Sequence, residues 1–189
     1  MADEDLRRLL DETASRQQIM QVCHRYCRAL DRVDEALLRS VFHPDSTHDH
    51  NTFQGSSADF CGFAIDLLHQ LERTQHHLGN VLVEVRGDVA ASEAYFMAYH
   101  RLAEGVSGPG MFEREDISTA QDVFVGGRYI DRFERRDGEW RIAHRTGVHD
   151  WETWQPASER FLPLMAPSGR GRRDRDDPAY RIAREAFGT

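Results

Sequence analysis

The spacing of the apolar residues changes once along this chain, and that change limits the folds open to it. Up to residue 72 they recur every three or four positions, and from His76 onward they alternate. Ile19, Val22, Cys23, Tyr26 and Leu30 make one face of a helix, with Ser15 as its N-cap and residues 3–12 as a short polar helix before it. Asp34 is placed to cap a second helix, Glu35 to Phe42, which Pro44 would end. His43 to Gly55 is polar and turn-rich, so it reads as a loop or a short edge strand. Residues 57–72 predict a third helix, with Phe60, Phe63, Ala64, Leu67 and Leu68 on one side.

The strand-like half follows. His76 to Arg86 reads as a strand, Gly87-Asp88 as a turn and Val89 to Leu102 as a long second strand. Residues 104–115 read as a flexible loop. Ile117 to Arg135 forms a third strand with a bulge or bend at Gly126-Gly127. Asp137-Gly138 is a hairpin signal, after which Trp140 to about Trp151 makes a fourth strand. Helices first and a curved antiparallel sheet second is an α+β order. Helices laid across a strongly curved sheet leave a cone-shaped pocket able to take a small molecule.

With 189 residues, 40% hydrophobic and 30% charged, the chain suits one soluble globular domain. Its formal net charge of -8 argues against nucleic-acid binding, which needs a basic field. All 24 basic residues are Arg, so lysine chemistry is excluded. Cys23, Cys27 and Cys61 match no disulfide framework, and Cys23 and Cys27, one helical turn apart, read as two small buried side chains. Met1 to Arg16 is polar and acidic, and no stretch approaches a membrane span, so a reducing cytoplasm and no membrane partner are expected. Residues 1–155 read as a single domain and 156–189 as an extension. Within it, Gly169 to Asp177 is all Gly, Arg and Asp and is expected to be solvated and mobile. Asp177-Pro178 then opens a short helix through Phe187, either a frayed terminus or a segment that docks on a neighbouring subunit or over the pocket.

Asp31 follows the last apolar residue of the first helix, where the helix dipole disfavours an anion. It is either a solvated turn residue or a buried carboxylate with a partner. His76 and His77 open the first strand with opposite parity, so one of the two can face the pocket. A histidine held by a carboxylate is a general base poised near neutral pH. His48, Asp49, His50 and His100 could supply metal ligands, but no pair has helical His-x3-His spacing, and no metal is expected. His50, Tyr95, Tyr99 and His100 are instead expected to line the pocket.

Four pieces in order carry a family resemblance: Tyr26-Cys27-Arg28-Ala29-Leu30-Asp31, Phe42-His43-Pro44-Asp45, His76-His77-Leu78-Gly79-Asn80, and Gly127 to Glu134 running through the hairpin into Trp140 to Arg145. Together they resemble the SnoaL-like branch of the nuclear transport factor 2-like superfamily, over roughly residues 10–155. Within it the chain looks most like scytalone dehydratase, bile-acid 7-alpha-dehydratase and hexachlorocyclohexane dehydrochlorinase. That resemblance places an Asp–His dyad on Asp31 and His76, an assisting tyrosine on Tyr26 and an arginine on Arg145. Tyr26 reads equally as a core tyrosine, and Arg145 as a cross-strand partner of a carboxylate, with His144 in its place if the register is reversed.

The resemblance implies a cofactor-independent lyase or isomerase acting on a hydrophobic ring compound. It also admits a non-catalytic binding or dioxygenase small-subunit-like assembly protein, and a polyketide cyclase. A homo-oligomer, dimer or trimer, is expected in each case, because open sheets with apolar outer faces tend to be covered.

Overall fold

The computed structural model describes residues 2–50, 53–105, 118–159 and 162–188. Helix α1 (Ala2–Arg32) is followed by α2 (Glu35–Ser40), strands β1 (Phe42–His50) and β2 (Phe53–Ser56), and α3 (Ser57–His69). Four long strands come next: β3 (Arg73–Arg86), β4 (Val89–Leu102), β5 (Gln121–Arg136) and β6 (Glu139–Pro156). A short helix α4 (Pro178–Phe187) closes the chain. The six strands form one sheet in the order β2-β1-β6-β5-β4-β3. Helices α1 and α3 pack against this sheet, as an α+β order requires.

Helix α1 runs unbroken through Ser15, which is buried inside it and does not cap a second helix. Neither Gly nor Pro interrupts residues 2–32, and the ion pairs Asp3–Arg7 and Arg8–Glu12 support the polar first turns. Asp34 caps α2 as expected, its side chain accepting from the Leu37 amide at 3.2 Å.

The segment from His43 to Gly55 corrects the sequence reading most. It holds most of β1 and of β2, and β1 is an interior strand, antiparallel to β2 and parallel to β6. Pro44 lies inside β1, in the gap between the paired residues Phe42 and Thr47, where its missing N–H breaks no ladder bond. The sheet is therefore six-stranded and mixed. The 104–115 loop and the start of the expected third strand lie largely outside the described residues.

Asp137 and Gly138 both take left-handed φ, 52° and 80°, which closes the β5–β6 hairpin. The β5–β6 register shifts between Gly126 and Gly127. A Cβ on Gly126 would overlap the Trp151 indole, and one on Gly127 the Val148 carbonyl oxygen. From Ala90 to His100 the buried residues of β4 alternate as Ala90, Ser92, Ala94, Phe96, Ala98 and His100, while Tyr95 and Met97 face outward. With Tyr95 and Met97, Leu82, Ile130 and Trp151 make the outer face partly apolar.

The C-terminal segment packs on its own chain. Arg173 donates to the carbonyls of Leu68 and Leu71 at the end of α3. Arg175 and the Tyr180 hydroxyl both donate to Asp34, at 3.0 and 2.8 Å, and Arg32 pairs with the buried Asp177 at 3.1 Å. Gly169 to Asp177 is exposed over most of its length but tied down at Arg173, Arg175 and Asp177. Its arginines find carbonyls and carboxylates at the end of α3 and the α1–α2 corner.

Candidate active site

The last turn of α1 presents Asp31 to the first residues of β3. Both Asp31 carboxylate oxygens accept the His76 backbone N–H, at 3.0 and 2.9 Å, and Oδ1 also meets His76 Nδ1 at 2.8 Å. An ionised carboxylate is acceptor-only, so the contact places a proton on Nδ1 and leaves Nε2 as the basic nitrogen of neutral His76. Both side chains are largely buried, 7% exposed for His76 and 12% for Asp31, whereas His77 is exposed. Val33 follows with φ of 51°, a strained value for a β-branched residue. It turns the chain so that the Asp34 amide bonds the Ala29 carbonyl at 2.9 Å, fixing the corner that carries Asp31.

His76 opens onto a mostly apolar cavity of about 70 Å³, walled by helices on one side and the sheet on the other. Helix α3 contributes Phe60, Phe63, Ala64, Leu67 and Leu68 to its walls, and Tyr26 and Leu30 come from α1. The sheet supplies Phe96, Ala98 and His100 from β4, Val125 and Tyr129 from β5, His149 from β6 and His50 from β1. Phe96 and Tyr129 stack at 4.3 Å, and the His76 and His100 rings meet edge to face at 5.6 Å.

Burial sets the charge state of this lining. It pushes His50 down to about 3, with His149 and Arg145 adding to the shift, and it lowers His100 and His149 as well. These imidazoles are neutral at ordinary pH. The Tyr26 and Tyr129 phenols are raised by burial and stay protonated.

Arg145 is fully buried behind the cavity wall. It forms a bidentate pair with Asp131, both contacts 2.6 Å, and its guanidinium carbon lies 3.9 and 4.4 Å from the Tyr26 and Tyr129 ring centroids. It touches the cavity through those two rings and does not line it.

Four of the expected residues, Tyr26, His50, His76 and His100, therefore meet at one cavity, with Asp31 held against His76. Tyr95 and Tyr99 do not join them. Strand alternation turns both to the opposite side of β4 from Phe96, Ala98 and His100. There Tyr95 packs against Arg128, and the Tyr99 hydroxyl donates to Asp122 at 2.7 Å. Sequence reasoning missed Phe96, Tyr129 and His149 as lining. The parity of His100 implies Phe96, but nothing in the sequence fixes which face of β5 and β6 is inner. His48 stacks on Phe60 at 3.5 Å, so that histidine serves as packing.

No curated protein matches the sequence. Among solved structures, a protein of Kribbella flavida aligns with a TM-score of 0.62 at 20% identity, covering 75% of this chain and 94% of that one. A protein of Novosphingobium aromaticivorans named for scytalone dehydratase aligns at 0.61 and 20% identity, covering 85% of this chain and 94% of that one. The hexachlorocyclohexane dehydrochlorinase of Novosphingobium barchaimii aligns at 0.61 and 21% identity, covering 84% of this chain and 99% of that one. At these identities the likeness is one of fold. The SnoaL-like domain matches residues 11–146, from the middle of α1 to the hydrogen-bonded centre of β6, and the chain belongs to that family.

Proposed function

We propose that the protein is a lyase or isomerase that acts on a hydrophobic ring compound, with Asp31 and His76 as its general base. The observation that carries this reading is the 2.8 Å contact that holds His76 by Nδ1 at the wall of an apolar cavity. The dehydratase and dehydrochlorinase names of the structural neighbours support the same reaction class.

In an elimination, His76 Nε2 takes a proton from a ring carbon. The C–H electron pair forms the new double bond, and the leaving group departs with its own pair from the neighbouring carbon. Asp31 stabilises the imidazolium that forms. The proton then passes from His76 to the leaving group or to water. In an isomerisation, the same nitrogen returns the proton to another carbon. Tyr26, protonated and in the wall, can donate to the oxygen on which charge develops, and Arg145 beneath its ring holds that ring in place.

A thermal-shift screen of steroids, bile-acid derivatives, hydroxylated polycyclic ketones and chlorinated alicyclics identifies the substrate class, with turnover then followed for each stabilising compound. Asp31→Asn keeps an acceptor for the His76 amide but faces Nδ1 with an amide. It should lower turnover by at least about a hundredfold while the melting temperature stays within a few degrees. Unchanged turnover in that variant refutes the dyad.

Self-association belongs to this reading, since Leu82, Tyr95, Met97, Ile130 and Trp151 leave apolar area on the outer sheet face for a second copy to cover. Analytical ultracentrifugation should show a dimer or trimer at micromolar concentration, and a monomer there excludes it.

A further inference from the structure

The cavity has two polar ends, and the second has no part in the base chemistry. The sheet order puts β3, which carries His76, at one edge, and β1 and β6, which carry His50 and His149, toward the other. Phe96 and Tyr129 stack on the strands between them. The His50 and His149 rings meet edge to face at 5.1 Å. His50 lies against Gly147, where any side chain would overlap its ring, so the backbone leaves a seat for this imidazole. Its Nδ1 is the ring atom against Gly147 and has no hydrogen-bond partner among the described residues, which leaves Nε2 as the nitrogen turned away from the backbone.

We infer that His50 and His149 form a recognition site for a neutral oxygen substituent, a hydroxyl or ketone, on the ring compound whose C–H faces His76. This rests on the ring-compound reading above and narrows it. Two neutral imidazoles offer a donor and an acceptor, which suits a hydroxyl or a carbonyl and gives little to a halogen or a bare hydrocarbon edge. An anion is disfavoured for a separate reason. No arginine is among the described lining residues, and the nearby Arg145 is already neutralised by Asp131. A carboxylate here would lose its hydration with no cation to replace it. The inferred substrate is therefore an oxygenated, uncharged alicyclic or polycyclic molecule with its oxygen function remote from the carbon that loses a proton.

Calorimetric titration at pH 7.5 with three probes on one bicyclic skeleton tests this: 2-tetralone, tetralin and 1,2,3,4-tetrahydro-2-naphthoate. Wild type should bind the ketone about tenfold more tightly than the hydrocarbon, the yield of one good hydrogen bond, and the carboxylate more weakly than the ketone. His50→Phe and His149→Phe keep a ring in place and should erase the ketone preference without weakening tetralin, and His50→Gln should restore part of it. Equal binding of ketone and hydrocarbon by wild type, or tightest binding of the carboxylate, overturns the inference and leaves the ring-compound reading standing. Failure of all three to bind overturns both. Because the wild-type series decides alone, the test survives a variant that does not fold.

Discussion

Arg145 shows how one residue can carry two readings until its neighbours are known. Its strand parity turns it inward, yet its guanidinium is spent on Asp131 and lies under two tyrosine rings, with neither charge exposed. Such a pair is costly to break, because the survivor is a buried charge with no counterion. Arg145→Met should destabilise the fold by about 3–5 kcal/mol in urea titration, and adding Asp131→Leu should recover most of that loss. If the single variant unfolds at the wild-type midpoint, the pair is not what holds Tyr26 and Tyr129 in the wall. Asp31 is the opposite case. A carboxylate at a helix C-terminus is unexplained by the helix, and that mismatch was readable before any partner was known.

At the scale of the element, the bulge in β6 opposite Gly126 and Gly127 decides what the sheet encloses. Gly127 approaches the Val148 carbonyl and the Phe96 ring too closely for a side chain, and that approach sets the crossing of β4, β5 and β6 under the cavity. Gly127→Ala should cost about 1–3 kcal/mol by denaturant titration, as overpacking against backbone does, and should weaken ring-compound binding through Phe96. A neutral effect there would mean that the strands part without disturbing the cavity.

The same element shows what the sequence makes legible. The Asp-Gly hairpin is a local signal and lies where it reads, whereas at Gly126-Gly127 the extra residue is Asp150 of the neighbouring strand β6. The face of α1 that carries Tyr26 is equally local. Strand β1 is not, because its stability comes from parallel pairing with β6 about a hundred residues away, while its own residues, Pro44 and Asp45 among them, look like a turn. Tyr95 and Tyr99 were misplaced for a related reason. Alternation separates them from Phe96 and His100, but only the packing of helices on the sheet says which set is inside. The docking of Arg175 and Tyr180 on Asp34 spans more than 140 residues and leaves no local mark.

Over the whole molecule, the buried histidines join the cavity to stability. His50, His100 and His149 all titrate below their usual value because burial disfavours their charged forms. Above pH about 6.5 they are neutral in both folded and unfolded chains, and their contribution to stability is fully present. As pH falls below that value, the unfolded chain takes up protons that the folded chain refuses, so stability declines until the folded values are reached, about 3 for His50. The carboxylates lowered by pairing, such as Asp122 and Asp177, begin to matter only below their own unfolded value near 4. The range from pH 6.5 to 5 therefore belongs to the histidines, at about 2 kcal/mol for each fully buried ring. Urea midpoints measured across that range should fall steadily, and His50→Phe should make the fall shallower. A flat profile would mean that these rings are solvated or charged in the folded chain. In that case the cavity could not discriminate against an anion, and the neutral-oxygen site would fail with it.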